Sequence, residues 1–145
     1  LPIYNVKKRC FKLRTKIKNI INNLHWQSCS YLCKNYDIII IPNFKNKQIV
    51  NKKKRNINKK NSRLLLLLSH YNFLEKLKYK INNYNKKLII INENYTSKTC
   101  CKCGLIKDNL GAKKIFKCNF CNNLLDRDLN GSINIMIKTL SNLLK

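Results

Sequence analysis

The 145-residue chain suits one domain of ordinary size, and at 44% hydrophobic residues it can bury a real core. Its 31 lysines and arginines face only 6 acids, a formal net charge of +25, which opposes compaction by self-repulsion and attracts polyanions. So few acids argue for nucleic acid as the partner rather than an anionic membrane surface, and the apolar run at 64–68 is too short to cross a bilayer. Residues 7–35 read as one long basic helix, with Ile17, Ile21, Leu24 and Leu32 near one face and Ile20 beside it. Residues 37–41, closed by Pro42, predict a short buried strand. The basic, Asn-rich stretch 43–62 has no sustained period and reads as a flexible loop. A second helix is expected over 63–83, with Leu67, Tyr71, Leu74 and Leu77 on its buried side, and a second buried strand over 88–91. A Cys-rich insert occupies 93–125, and 129–145 is a closing helix with Ile133, Ile137, Leu140 and Leu144 spaced four, three and four apart. Strands separated by helices favour a parallel α/β sheet. Two strands alone make a poor sheet, so further strands are expected upstream of a chain that begins with Leu rather than Met.

Cys100-Cys-Lys-Cys103 and Cys118-Asn-Phe-Cys121 are two C-x-x-C knuckles separated by 14 residues. Each aims two sulfurs at one point, and together they complete a tetrahedral S₄ set suited to Zn²⁺. A pair of redox dithiols is the competing reading, but it does not need the second pair at this spacing. Gly104 supports a tight knuckle turn, and 114–117 is a candidate strand of the ribbon. Eight cysteines without a secretory signal fit a reducing, intracellular setting: cytoplasm or nucleoid, or the nucleus in a eukaryote. Cys101 reads as a free thiol beside the cluster. Cys10, Cys29 and Cys33 read as small buried hydrophobes, and His25 and His70 as packing or hydrogen-bonding residues.

The six acids are Asp37, Glu75, Glu93, Asp108, Asp126 and Asp128. Glu93 follows the second strand, and Asp128 opens the last helix. If the Cys-rich insert folds out as an excursion, the two carboxylates can meet and hold Mg²⁺ for phosphodiester cleavage. The plainer readings are a helix N-cap for Asp128 and a solvated loop acid for Glu93.

Four segments then carry a resemblance: Asn92-Glu-Asn-Tyr-Thr-Ser-Lys-Thr-Cys100, Cys103-Gly, Gly111-Ala-Lys-Lys-Ile-Phe-Lys-Cys118 and Asp126-Arg-Asp-Leu-Asn-Gly-Ser-Ile-Asn-Ile135. In this order they resemble the C-terminal part of the TnpB family, which includes the eukaryotic Fanzor proteins and the small Cas12f effectors. Upstream, Asn23-Leu-His-Trp26, Tyr36-Asp-Ile-Ile-Ile-Ile-Pro-Asn-Phe44 and Ser69-His-Tyr-Asn-Phe73 resemble further family segments. The likeness runs from about residue 7 to the end. It implies an α/β fold, a partial RNase-H-like (RuvC) core with an inserted zinc ribbon. The core covers 1–92 with its basic loop at 43–62, the ribbon that contacts target nucleic acid covers 93–125, and the final RuvC motif and C-terminal helix cover 126–145.

Members are RNA-guided DNA endonucleases of IS200/IS605 and IS607 elements, formerly described as transposases. Their guide supplies sequence specificity, so the protein mainly holds backbone. The resemblance thus implies DNA and guide RNA as partners, structural Zn²⁺ and, in an intact member, catalytic Mg²⁺. Asp128 matches the last of three catalytic acids. Where many relatives carry the middle glutamate, this chain has Pro42-Asn43-Phe44, and Glu93 takes the position that a subset uses instead. The Gly-x-Asp-x-Gly segment of the first acid has no counterpart here. The expectation is therefore a truncated or decayed copy that binds nucleic acid and is inactive alone. The alternative is a stand-alone nucleic-acid-binding zinc protein, either an element-derived regulator or an RNA- or ribosome-associated one.

Overall fold

The computed structural model describes residues 3–43, 58–111 and 114–144, so most of the expected loop at 43–62 lies outside the described residues. Helix α1 (Ile3–Asn35) leads to strand β1 (Ile38–Pro42). Helices α2 (Lys59–Leu68) and α3 (His70–Tyr84) precede strand β2 (Lys87–Ile91). Strands β3 (Ile115–Lys117) and β4 (Leu124–Asp126) and helix α4 (Arg127–Leu143) complete the described elements. β1 and β2 are hydrogen-bonded neighbours. At their start the Lys87 amide donates to the Asp37 carbonyl at 2.9 Å, and at their end the Asn43 amide donates to the Ile91 carbonyl at 2.7 Å. Start pairs with start and end with end, so the strands run parallel, as a strand-helix-strand order favours.

The chain divides into two compact units, one of residues 1–39 and 44–87, the other of 40–43 and 88–145. In the first, α1 packs on α3. Leu77 and Ile81 of α3 are buried, as are His25, Cys29 and Cys33 of α1. The buried stripe therefore recurs every four residues from His25, while Ile17 and Leu24, expected inside, stay exposed. Small sulfur-bearing side chains let two helices approach closely, so the cysteines take the place that bulkier aliphatics were expected to fill. Cys10, also expected inside, is exposed. His25 packs edge-on against Phe73 with ring centroids 5.5 Å apart, and the Cys29 thiol points at the Phe73 carbonyl, 3.9 Å away. Lys86 pairs with Asp37 at 2.6 Å at the foot of the strands.

The single helix expected over 63–83 is two. Ser69, at φ 45° in the left-handed region, ends α2 and starts α3. The apolar spacing continues across this break, so periodicity carries no trace of it. Asn58 caps α2, accepting from the Asn61 amide at 2.8 Å, so the helix starts inside the stretch read as loop. Tyr71 and Leu67 are exposed, and Leu77 alone of the four expected residues is fully buried. In the second unit α4 departs further from expectation: its buried residues are Asn130, Asn134 and Thr139, while Ile137, Leu140 and Leu144 are exposed.

Candidate metal centre

Two local turns of the same geometry build the centre. The Cys100 amide donates to the Leu105 carbonyl, and the Cys118 amide to the Asn123 carbonyl, both at 2.9 Å and both five residues ahead. The residue after the second cysteine of each pair is left-handed, Gly104 at φ 76° and Asn122 at φ 54°. Glycine and asparagine tolerate that region best. β3 and β4 pair antiparallel, with Phe116 opposite Leu125, and hold the second knuckle between them. Phe116 is buried with Cys100 and Cys118, and Leu110 and Leu125 pack on them. Lys107 ties the two halves together, its Nζ donating to the Lys117 carbonyl at 2.9 Å.

Cys100 and Cys121 place their Sγ atoms 3.6 Å apart, as do Cys103 and Cys118, and all four lie within 4.8 Å of one another. A tetrahedral ion with metal–sulfur bonds of about 2.3 Å needs sulfurs about 3.8 Å apart, so these four thiols fit Zn²⁺. Electrostatics prepares the same site. Amides of Cys121 and Phe120 donate to the Cys118 sulfur and hold its thiol down at about 6. Burial disfavours the Cys100 thiolate, but the amides of Cys103 and Lys102 outweigh it and lower that thiol. At Cys103 the Leu105 amide favours the thiolate, yet desolvation and the three neighbouring sulfurs prevail and push it up to about 12. Four crowded sulfurs cannot all ionise unaided, and a divalent cation removes that conflict.

Helix α4 grips the first knuckle from outside. Asn130, fully buried, donates from Nδ2 to the Thr99 carbonyl at 2.7 Å and accepts from the Cys101 amide at 3.0 Å, one residue either side of Cys100. Asn134 donates to the carbonyls of Thr96 at 2.9 Å and Thr99 at 2.6 Å. These asparagines escaped the sequence reading because amides on a helix normally mark its wet face. The signal that was available is their spacing of four on the helix that follows the Cys-rich insert. Cys101 stays outside the cluster, half-buried, with the Asn123 amide nitrogen 3.8 Å from its sulfur.

Glu93 is exposed two residues beyond β2, and its carbonyl accepts from the Thr96 amide and hydroxyl at 3.2 and 2.8 Å. Since Asn43 bonds to Ile91, Pro42 and Glu93 emerge at the same carboxyl end of the parallel pair. Asp128 is exposed in the first turn of α4. It is not the N-cap: Asp126 accepts from the amides of Asp128 and Leu129 at 2.8 and 3.2 Å, which leaves the Asp128 carboxylate out of the cap. Among the described residues the four cysteines are the one cluster of three or more metal-ligating side chains.

Residues 70–135 match the family profile of the Cas12f1-like TNB domain. TnpB-like protein L79 of Acanthamoeba polyphaga mimivirus is 34% identical over 125 residues, 86% of this chain and 24% of that protein. The CRISPR-associated endodeoxyribonuclease Cas12f1 of Sulfoacidibacillus thermotolerans is 33% identical over 90 residues, 61% of this chain and 21% of its own length. The cryo-EM structure of a Cas12f1-sgRNA-target DNA complex superposes with a TM-score of 0.60 at 25% identity, over 92% of this chain and 36% of that one. The chain therefore spans about a quarter of the length of these curated relatives.

Proposed function

This chain is a TnpB/Cas12f-like relative of transposon-associated nucleases, and from that premise we propose that it is the DNA-holding portion of such an enzyme, a zinc ribbon joined to a partial RNase-H-like (RuvC) core. The carrying observation is the convergence of Cys100, Cys103, Cys118 and Cys121 inside the matched residues 70–135. Four thiolates fill every position around Zn²⁺, so the ion is structural and locks the ribbon rather than activating water. Around that rigid element a net charge of +25 supplies phosphate contacts, and DNA and a guide RNA are the partners this charge suits. Such work belongs inside the cell, where nucleic acid is found and thiols stay reduced.

Glu93 and Asp128 are the carboxylates assigned to Mg²⁺, which when bound would stabilise charge on the phosphate under attack. Two acids cannot clamp two ions and align a water, and the sequence has no Gly-x-Asp-x-Gly segment to supply a third. The 145-residue polypeptide by itself therefore binds DNA and does not cut it. A Mg²⁺-dependent assay on single-stranded DNA tests this directly. No cleavage is expected, and cutting that disappears with Asp128→Ala would show the centre to be complete and this reading wrong.

A further inference from the structure

A cleft of about 580 Å³ opens between α1, α2 and the start of α3, wholly within the first unit. Its walls are aliphatic, Ile17 and Ile21 from α1 against Leu66 and Leu67 from α2. Leu66 is 57% exposed and Leu67 45%, so this apolar surface stands in water. Its rim is cationic, Arg14 and Lys18 on one side and Arg63 and Lys76 on the other, and no acid is among the described residues lining it. Ser69 and Asn72 bring the first turn of the 15-residue α3 to the cleft, and its Ser69 cap makes no side-chain hydrogen bond. The helix dipole at such an end favours an anion. His25 also lines the cleft. It is 7% exposed, and its Nδ1 has no hydrogen-bond partner.

Apolar walls beneath four cations ask for a ligand with an apolar face, an anionic edge and a hydrogen-bond donor. A fatty carboxylate lacks the donor, and a bare polyphosphate lacks the apolar face. A nucleotide has all three, since every base has a π face and an N–H donor on its pairing edge. We propose that this cleft receives one unstacked base of a single nucleic-acid strand, with the rim cations on its flanking phosphates. The inference rests on the nucleic-acid-binding reading above and locates one contact within it. All bases offer these groups, so the contact is tolerant of sequence. Burial and the charge of Lys76 lower the His25 pKa, which keeps its ring neutral and an acceptor at neutral pH.

Occupancy has a built-in reporter, because Lys76 Nζ also lies 5.4 Å over the ring of Trp26, the one tryptophan of the chain. The zinc-loaded chain is titrated with a dT oligomer and with linear polyphosphate of equal charge at one salt concentration. The oligomer should bind about tenfold more tightly than the polyphosphate and change Trp26 emission. Leu67→Asn, and Ile17→Asn from the opposite wall, should remove that preference and leave polyphosphate binding unchanged. Leu67→Met should keep it. Circular dichroism and zinc content establish that each variant is folded. Equal binding of the two polyanions, or equal weakening of both by the wall variants, overturns the cleft assignment while leaving charge-driven binding standing. A change in oligomeric state with base preference intact would make the cleft a contact between copies and equally overturn it. If neither polyanion binds, the proposed function itself falls, and the cleft with it.

Discussion

Cys118→Ser isolates what one sulfur does. Its thiolate is the one most favoured by local amides, and a hydroxyl in its place leaves a three-thiolate site. Wild-type protein should carry one zinc per chain by elemental analysis, and the variant should release it to a chelator that leaves the wild type loaded. Zinc-free wild-type protein prepared under reducing conditions would defeat the assignment. His25 offers a second residue-scale test. Burial, then the charge of Lys76, lowers its pKa below 6.5, with a hydrogen bond to the Leu68 backbone opposing. The unfolded chain takes up a proton near pH 6.5 while the folded ring stays neutral, so acid favours unfolding. Stability from this group is whole above pH 6.5 and is lost as pH falls through the lowered value. Urea midpoints of the zinc-loaded protein should drop across that window, and His25→Gln should flatten the drop. Parallel profiles for the two proteins would mean the ring titrates alike in both states.

The helix α4 is held less by its apolar residues than by two amides. Asn130→Ala strands the Cys101 amide and removes one of the two donors to the Thr99 carbonyl, on either side of a metal ligand. It should cost about 1–3 kcal/mol by urea unfolding. An exposed change on the same helix, Leu140→Ala, should cost far less, and equal losses would show that α4 docks through its aliphatic stripe instead. Glycine at position 104 is likewise an element-scale requirement. At φ 76° a side chain meets no neighbour within 4 Å, so Gly104→Ala adds backbone strain alone, about 1–2 kcal/mol. Asn122 already carries such a side chain at the matching point of the second knuckle, so Asn122→Gly should be neutral or slightly stabilising.

On the scale of the whole molecule the dominant quantity is charge. With +25 on 145 residues, affinity for single-stranded DNA should fall steeply, at least roughly tenfold, between about 50 and about 200 mM salt. Fluorescence anisotropy at a series of salt concentrations gives the slope, and a flat line would remove counterion release as the basis of binding.

The amino-acid sequence determined the features that depend on residue type and spacing along the chain. The paired knuckles, the two isoleucine-rich strands, their parallel order and the first and last helices follow from short-range pattern, and the structure has them, although only Ile39 and Ile91 of the strands are buried. The basic balance was equally legible, because charge is counted rather than folded. Which faces the helices bury was decided only by tertiary structure. Periodicity marks an apolar stripe, yet α1 turns His25, Cys29 and Cys33 inward and α4 turns Asn130 and Asn134. Those choices depend on what stands opposite, a closely packed helix in one case and the Thr96 and Thr99 carbonyls in the other. The break at Ser69 and the capping by Asp126, which leaves the Asp128 carboxylate uncommitted, were settled the same way, since a left-handed residue and a cap are properties of backbone geometry that several side chains satisfy equally.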